Sequence, residues 1–359
     1  MPDSTRGPLS RTRHAFLLRE LELRGSVTAA DAAQSLGVSQ VTVRRDIVEL
    51  ENAGKLARVH GGAIRAVAKS APKAARVDVG VIVPSSVSHF PGIVRGMEAA
   101  SHALRARIVL AVSHYRPELE RRQAERLIDM GVQGVVLAAT LNPSREDELG
   151  AWVRGLPVPV VFLERRLDST ALASFDAART DHARGATLAV EHLAGLGHGQ
   201  IALALYERTP TAPLIRDGYE RAVRRLDLAP APQIALPKGE GDASGTELDI
   251  ALERILDDCM SSKTTAIVVH TDVHAARLVE LASDRGMRVP EDLAVVAYDD
   301  DTAALAMVPL TAVTAPRADL GREALRILVE RIAQTDGGAT AKHLELVPTL
   351  TVRSSCGGA

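Results

Sequence analysis

The sequence predicts an α/β chain: a small helical N-terminal unit, a short linker, and a body of two lobes built on parallel sheets. Three observations carry that prediction. From residue 77 onward, apolar strand-like runs alternate with amphipathic helical stretches. Residues 66–76, just before, lack any periodicity. Near the front, Ser39-Gln40-Val41-Thr42-Val43-Arg44-Arg45-Asp46-Ile47 puts two adjacent arginines inside a predicted helix.

The front unit is justified element by element. An Ala-rich helix from about Thr28 to Leu36 meets the turn Leu36-Gly37-Val38 and then a second helix. Ala32, Ala33 and Leu36 on the first, and Val43, Ile47 and Leu50 on the second, fall at helical spacing and are expected to bury against each other. Gly37 suits the left-handed residue that ends a helix, and Ser39 is a good N-cap for the next. Gln40, Thr42, Arg44 and Arg45 then lie in the N-terminal half of that helix. A helix, a glycine-bearing turn and a helix carrying these residues fit the major groove of DNA. There Gln bonds adenine edges, and Arg bonds guanine or phosphate. Thr28 and Ser39, at the two helix starts, join the expected DNA contacts. Gly54 should stop the second helix, and Gly61-Gly62 reads as a two-residue hairpin turn. The resulting wing would present Lys55, Arg58 and His60 to phosphates or the minor groove. A helical hairpin with a solvated arginine pair would explain Arg44 and Arg45, but not the turn, the cap and the wing together. Asp46 is expected to cap or to pair with an arginine, since phosphate repels a carboxylate.

These residues resemble the N-terminal winged helix-turn-helix domain of the DeoR family, through Arg13, Leu17 and Leu21 at four-residue steps followed by Ser39, Thr42, Arg44, Arg45, Asp46 and Ile47. The expected DNA-binding domain is residues 1–65, and 66–76 is a linker. Charge agrees: residues 1–76 carry 13 Lys/Arg against 7 Asp/Glu, whereas 77–359 carry 30 against 38. A basic head attracts a polyanion, and an acidic body limits indiscriminate sticking.

In the body, strands are expected at Val79–Val83, Ile108–Val112, Val135–Ala139, Val158–Leu163, Ile201–Leu205, Ile234–Leu236, Ala266–Val269 and Leu293–Ala297. Helices lie between them, among them Pro117–Met130, His182–Leu196, Asp217–Leu226, Thr246–Met260 and Val273–Arg285. Apolar strands separated by helices mean parallel sheets covered on both faces. Some 280 residues are too many for one ordinary doubly wound sheet, hence two lobes. Ligands of such folds bind at the carboxyl ends of the strands.

Several blocks make the body similar to the effector-binding domain of the lactose-repressor (LacI) family, a relative of the periplasmic sugar-binding proteins. They are Val79–Pro84 with Arg95–Ala100, Gly185-Ala186 through His198, Arg216-Asp217-Gly218-Tyr219, Val289–Asp300, Pro309–Val313 and Gly321–Ala324. The resemblance implies a type I periplasmic-binding-protein-like domain over 77–359. Its first lobe would span about 77–177 and 316–335, its second about 178–313 and 337–354. It also implies which residues line the cleft: Ser85, Ser88, His89 and Phe90; Glu164; Asp181 and His182; Thr271 and Asp272; and Asp299. Carboxylates at strand ends suit a polyhydroxylated ligand because they accept hydrogen bonds from neighbouring hydroxyls, and Phe90 would offer an apolar wall. Many sugar-binding relatives have an arginine where this chain has Ile215; Arg216, one step and about 100° further round the helix, is the candidate effector contact here. The effector's identity is therefore open.

Other chemistry finds little support. His270 and His274 flank Asp272 without a third ligand, and no metal site or cofactor is expected. Residues 239–245 do not form a dinucleotide fingerprint, and neither a nucleophile elbow nor a Walker loop occurs, so no enzyme is expected. His192 and His198 read as structural. Cys259 and Cys356 imply no disulfide framework. With no apolar leader and no apolar run near 18 residues, the chain is expected in the cytoplasm. The sequence thus points to a sugar-responsive transcriptional repressor acting on operator DNA as a homodimer. A ligand-dependent activator, or a regulator sensing a nucleoside or another small non-sugar metabolite, is the alternative. A transport binding protein would not carry Arg44-Arg45, and a sugar-phosphate isomerase would lack Tyr298-Asp299-Asp300.

Overall fold

The computed structural model describes residues 10–53, 55–59, 61–65, 76–87, 89–140, 143–207, 209–237, 245–334 and 340–358. His60, Ser88 and most of the 66–76 segment lie outside the described residues. Contacts divide the chain into Met1–Arg76 and Val77–Ala359.

The head runs α1 (Ser10–Arg24), β1 (Ser26–Thr28), α2 (Ala29–Leu36), α3 (Gln40–Asn52), β2 (Leu56–Val59) and β3 (Gly62–Arg65). Its core joins Leu17 and Leu21 of α1 to Ala32 and Ala33 of α2, Val43, Ile47 and Leu50 of α3, and Leu56 and Ala63 of the hairpin. Leu36 is only half-buried, unlike its expected partners. Gly37 ends α2 in the left-handed region, φ 64°, and its N–H returns to the α2 carbonyls. The strand begins earlier than expected: Gly62 pairs with Val59 and is already in β3. Gly62 is needed there because β3 also pairs with β1, and a Cβ at Gly62 would lie 2.2 Å from the Val27 carbonyl oxygen.

The body holds two six-stranded sheets. The first comprises β4 (Val77–Val83), β5 (Ala106–Val112), β6 (Gly134–Leu137), β7 (Val160–Leu163), β8 (Asp176–Thr180) and β14 (His343–Leu346), ordered β14-β8-β7-β6-β4-β5 and wholly parallel. Helices α4 (His89–Ser101), α5 (Pro117–Asp129), α6 (Glu146–Arg154) and α11 (Arg317–Ala333) cover it. The second comprises β9 (Ile201–Tyr206), β10 (Gln233–Leu236), β11 (Ala266–His270), β12 (Ala294–Tyr298), β13 (Thr311–Thr314) and β15 (Thr349–Thr351), ordered β10-β9-β11-β12-β13-β15, with only β15 antiparallel. Its helices are α7 (His182–Gly195), α8 (Ala212–Arg225), α9 (Gly245–Ser262) and α10 (Asp272–Asp284).

The lobe boundaries need correction. β8, of which residues 178–180 were expected in the second lobe, lies wholly in the first sheet, and so does β14; only β15 of the final strands joins the second. The expected strand list missed β8 because Asp-Ala-Ala-Arg-Thr has no apolar run. It can sit in a sheet because Arg331 neutralises the buried Asp176 through two hydrogen bonds, at 2.7 and 2.6 Å, and the Lys342 N–H adds a third at 2.8 Å. The chain therefore crosses between the sheets three times: after Thr180, after Thr314 and before Thr349.

One helix contact sets the spacing of the two helices on one face of the first sheet. α4 and α11 touch through glycine: a Cβ on Gly321 would stand 2.0 Å from the Ile93 carbonyl oxygen, and one on Gly96 would stand 2.1 Å from that of Ala318. This is why glycine stands at Gly96 within Arg95–Ala100 and at Gly321 within Gly321–Ala324. It also fixes where the first turns of both helices sit, and each of those turns supplies a residue to the site below.

Candidate nucleic-acid interface and ligand cleft

Ser39 caps α3 as expected, accepting the Thr42 N–H at 3.1 Å, and its hydroxyl also meets that of Thr42 at 2.9 Å. Thr28 caps α2 in the same way through the Asp31 N–H. With Val43, Ile47 and Leu50 buried, α3 turns Gln40, Val41, Arg44 and Arg45 to solvent. Arg44 has no ion-pair partner among the described residues, and Arg45 reaches only Glu49, at 3.4 Å on the surface. Such an exposed pair is worth little and yields readily to a phosphate or a base. Lys55 is exposed, and Arg58 lies beside Glu51.

Sequence reasoning passed over Val41. It is 74 % exposed on the second residue of the helix, outside the buried stripe. Its absence from the Val43–Ile47–Leu50 stripe is the signal that finds it. Asp46 points the other way, buried and held by Arg13 of α1 at 2.7 and 2.9 Å. Among the described residues, one group has metal-like spacing, His14, Asp46 and Glu49, but Asp46 already belongs to Arg13.

In the body, the carboxyl ends of the strands gather a chain of titratable side chains. Glu164 follows β7 and Asp299 follows β12, and both adopt left-handed backbone, φ 51° and 83°. Glu164 accepts the Thr180 N–H at 3.0 Å and its hydroxyl at 2.8 Å, and lies 2.7 Å from His89 Nε2 and 3.4 Å from His182 Nε2. Burial opposes its ionisation; the charge that His89 carries when protonated, and the hydrogen bonds of His182 and His89, act the other way and hold the carboxyl well below the usual carboxylate range. His182 Nδ1 meets the Tyr298 hydroxyl at 3.1 Å, which links the first sheet's Glu164 to the second sheet's β12.

Asp299 receives the Arg317 guanidinium at 3.2 Å; the same guanidinium reaches Asp301 and donates from Nε to His89 Nδ1 at 3.1 Å. Burial raises the Asp299 pKa, while the charge that His89 carries when protonated, and then the permanent charge of Arg317, lower it below the ordinary carboxylate value. His270, at the end of β11, is buried with Nδ1 lacking a partner among the described residues, and burial pushes its pKa down to about 4.

Several expected cleft residues turn out to serve the frame. Phe90 is buried in the first-lobe core with Ile93, Met97 and Leu320, so it offers no wall to a ligand. Asp272 is saturated: Oδ2 accepts the N–H groups of Asp301 and Thr302, at 2.8 and 2.6 Å, and the Thr302 hydroxyl, while Oδ1 takes the Val273 N–H. It braces the loop that carries Asp299. Asp181 caps α7 through the Arg184 N–H, and Thr271 caps α10. Ser85 bonds within its own loop, to Val87. Ile215 is fully buried in the second-lobe core, and Arg216 pairs with Glu207 beyond the end of β9. His192 reaches Cys356, and His198 reaches Thr265, both on structural partners.

Glu164, His89, His182 and Asp299 are thus the expected residues that the fold brings together. Arg317, His270 and Tyr298 join them unannounced. A polar recess of about 210 Å³ beside β8 and β14 is a separate feature. Its Arg166 and Arg179 are already paired with Asp168 and Glu345.

Comparison with known proteins follows this division. Residues 13–68 match the DeoR-like helix-turn-helix domain, and residues 190–356 match the periplasmic binding protein-like domain. The chain is a helix-turn-helix DNA-binding domain fused to a periplasmic-binding-protein-like domain. The curated proteins it matches include the HTH-type transcriptional repressors PurR of Haemophilus influenzae and CytR of Escherichia coli. It is similar to the arabinose metabolism transcriptional repressor of Geobacillus stearothermophilus, at 27 % identity over 86 % of this chain and 85 % of that one. Among solved structures, a LacI family transcriptional regulator from Enterococcus faecium with bound ribose superposes with a TM-score of 0.61, at 23 % identity over 78 % of this chain and 98 % of its own. A Lac repressor dimer bound to operator and the anti-inducer ONPF gives a TM-score of 0.64, at 23 % identity over 86 % of this chain and 98 % of its own. Among the described residues, no helix is long and apolar enough to cross a membrane.

Proposed function

We propose that this protein is a one-component transcriptional repressor of carbohydrate uptake or catabolism genes. A sugar or sugar derivative would be its effector, held between the two lobes. The observation that carries this reading is a helix that buries one face and exposes Gln40, Val41, Arg44 and Arg45, in a chain similar over most of its length to an arabinose metabolism repressor. Gln40 and Arg44 supply base-edge bonds, Arg45, Lys55 and Arg58 neutralise phosphates, and Val41 meets a thymine methyl group. Two heads of a homodimer would take the two halves of a palindromic operator, in keeping with the Lac repressor dimer on its operator. The effector would bond Asp299, with Glu164, His89 and His182 beside it. It alters DNA affinity only by binding the DNA-competent and incompetent states unequally. The body acts as a sensor and not as a catalyst, and the site of action is the cytoplasm.

Gel-shift titrations on the operator at several salt concentrations test the head. Arg44→Ala should weaken specific binding by about 1–3 kcal/mol. Arg45→Ala should lower the steepness of the salt dependence by about one phosphate's worth. Operator binding indifferent to both substitutions would sink the assignment. For the body, a thermal-shift screen of pentoses, hexoses and their disaccharides should find a stabilising sugar, and Asp299→Ala should abolish that shift.

A further inference from the structure

Arg317 opens α11 immediately after the second crossing, and its guanidinium spends three nitrogens on three residues: His89, Asp299 and Asp301. The Nε–H of arginine can only donate. His89 Nδ1, 3.1 Å away, must therefore present a lone pair. The ring proton then sits on Nε2, where the ionised Glu164 accepts it at 2.7 Å. In this arrangement His89 is a neutral imidazole in one defined tautomer. Both ends of the contact are braced. On the first lobe, Glu164 is itself fixed by Thr180. On the second, Asp272 holds the N–H groups of residues 301 and 302, and Asp300 is tied to Arg353 and Thr314.

We propose that Arg317 is a positioning residue for the effector carboxylate Asp299, and that neutral His89 holds Arg317 in place until a proton on His89 releases it. Arg317 occupies Oδ1 of Asp299 and leaves Oδ2 without a protein partner among the described residues, ready to accept a ligand hydroxyl. The charged groups facing His89 are Glu164 on one side and Arg317 on the other, with His182 beside the first and Asp299 and Asp301 beside the second. A proton arriving on Nδ1 meets the Nε–H of a cation, so two donors confront each other and one must leave. Arg317 can swing onto Asp301, whereas Glu164 keeps the imidazolium. Asp299 then loses its fixed orientation. That Asp299 serves an effector rests on the function proposed above; the His89–Arg317 contact does not, and it is tested with no effector present.

The experiment uses the full-length protein, labelled with ¹⁵N-histidine and ¹⁵N-arginine and titrated from about pH 8 to about pH 5, the range in which imidazoles change charge. Loss of signals in His89→Asn assigns the ring, since the Asn Oδ1 replaces Nδ1 as acceptor; His89→Gln is the second choice if that variant does not fold. Arg317→Lys assigns the Nε signal. The expected result is an unprotonated Nδ1 at the alkaline end, then a shift of the Arg317 Nε signal that shares its midpoint with Nδ1 protonation and vanishes in the His89 variant. A protonated Nδ1 at the alkaline end, a ring that never titrates, or an Arg317 signal that stays fixed while it does, overturns the proposal. A sugar whose affinity is indifferent to Asp299→Ala would instead overturn the effector reading, with the nitrogen spectra unchanged.

Discussion

Asp272 and Asp299 are carboxylates at the carboxyl ends of neighbouring strands in the second sheet, yet their acceptor sites are filled very differently. Asp272 receives four protein donors, whereas Asp299 keeps one oxygen without a partner among the described residues. Substituting Asp272 by Asn would turn an amide toward donors that already need an acceptor. The expected cost is about 1–3 kcal/mol, the usual penalty for leaving buried polar groups unsatisfied. Urea denaturation measures it, and an unchanged midpoint would contradict the bracing role. Arg317 shows why such roles escape a sequence. It follows a proline at the start of a helix, and nothing nearby in the chain announces the three groups it joins, which come from residues 89, 299 and 301. Val41 was legible in principle, as the apolar residue that misses its helix's buried stripe.

At the scale of elements, helical periodicity marked α2 and α3 because their buried faces are contiguous in sequence, and Gly37 and Ser39 punctuate them with local chemistry. Most parallel strands were legible for the same reason, being runs of Val, Ile, Leu and Ala. β8 was not, because its place depends on Arg331, 155 residues away. The cap and the helix contact each yield an expectation. Ser39→Ala should lower head stability by about 1 kcal/mol and weaken operator binding, since the cap fixes the first turn of the reading helix. Gly321→Ala should cost the body about 1–3 kcal/mol by forcing α4 and α11 apart. Calorimetric scans of both variants check these values, and a Gly321→Ala protein as stable as its parent would mean that the helices are not in the contact described.

For the whole molecule, pH dependence centres on His270. Its folded pKa of about 4 lies below the ordinary 6.5. Between these two values the unfolded chain binds a proton that the folded chain refuses, so unfolding free energy falls as pH drops through 6.5 and levels off below about 4. A shift of this size corresponds to roughly 3 kcal/mol of body stability. Lowered carboxylates such as Glu164 and Asp299 add to the same acid loss at lower pH. Denaturation curves at neutral and mildly acidic pH should therefore converge in His270→Asn, and a difference as large as in the parent would count against the buried neutral imidazole. The three crossings carry a further consequence, for synthesis. The first sheet's edge partner β14 begins 163 residues after β8 ends at Thr180, so β8 waits on the ribosome as an unpaired edge while the second lobe is made. An apolar strand left open for that interval would invite pairing with another nascent chain. Asp176 and Arg179, the residues that hid β8 from a hydrophobicity pattern, keep that waiting edge charged until the C-terminal segment arrives to close it.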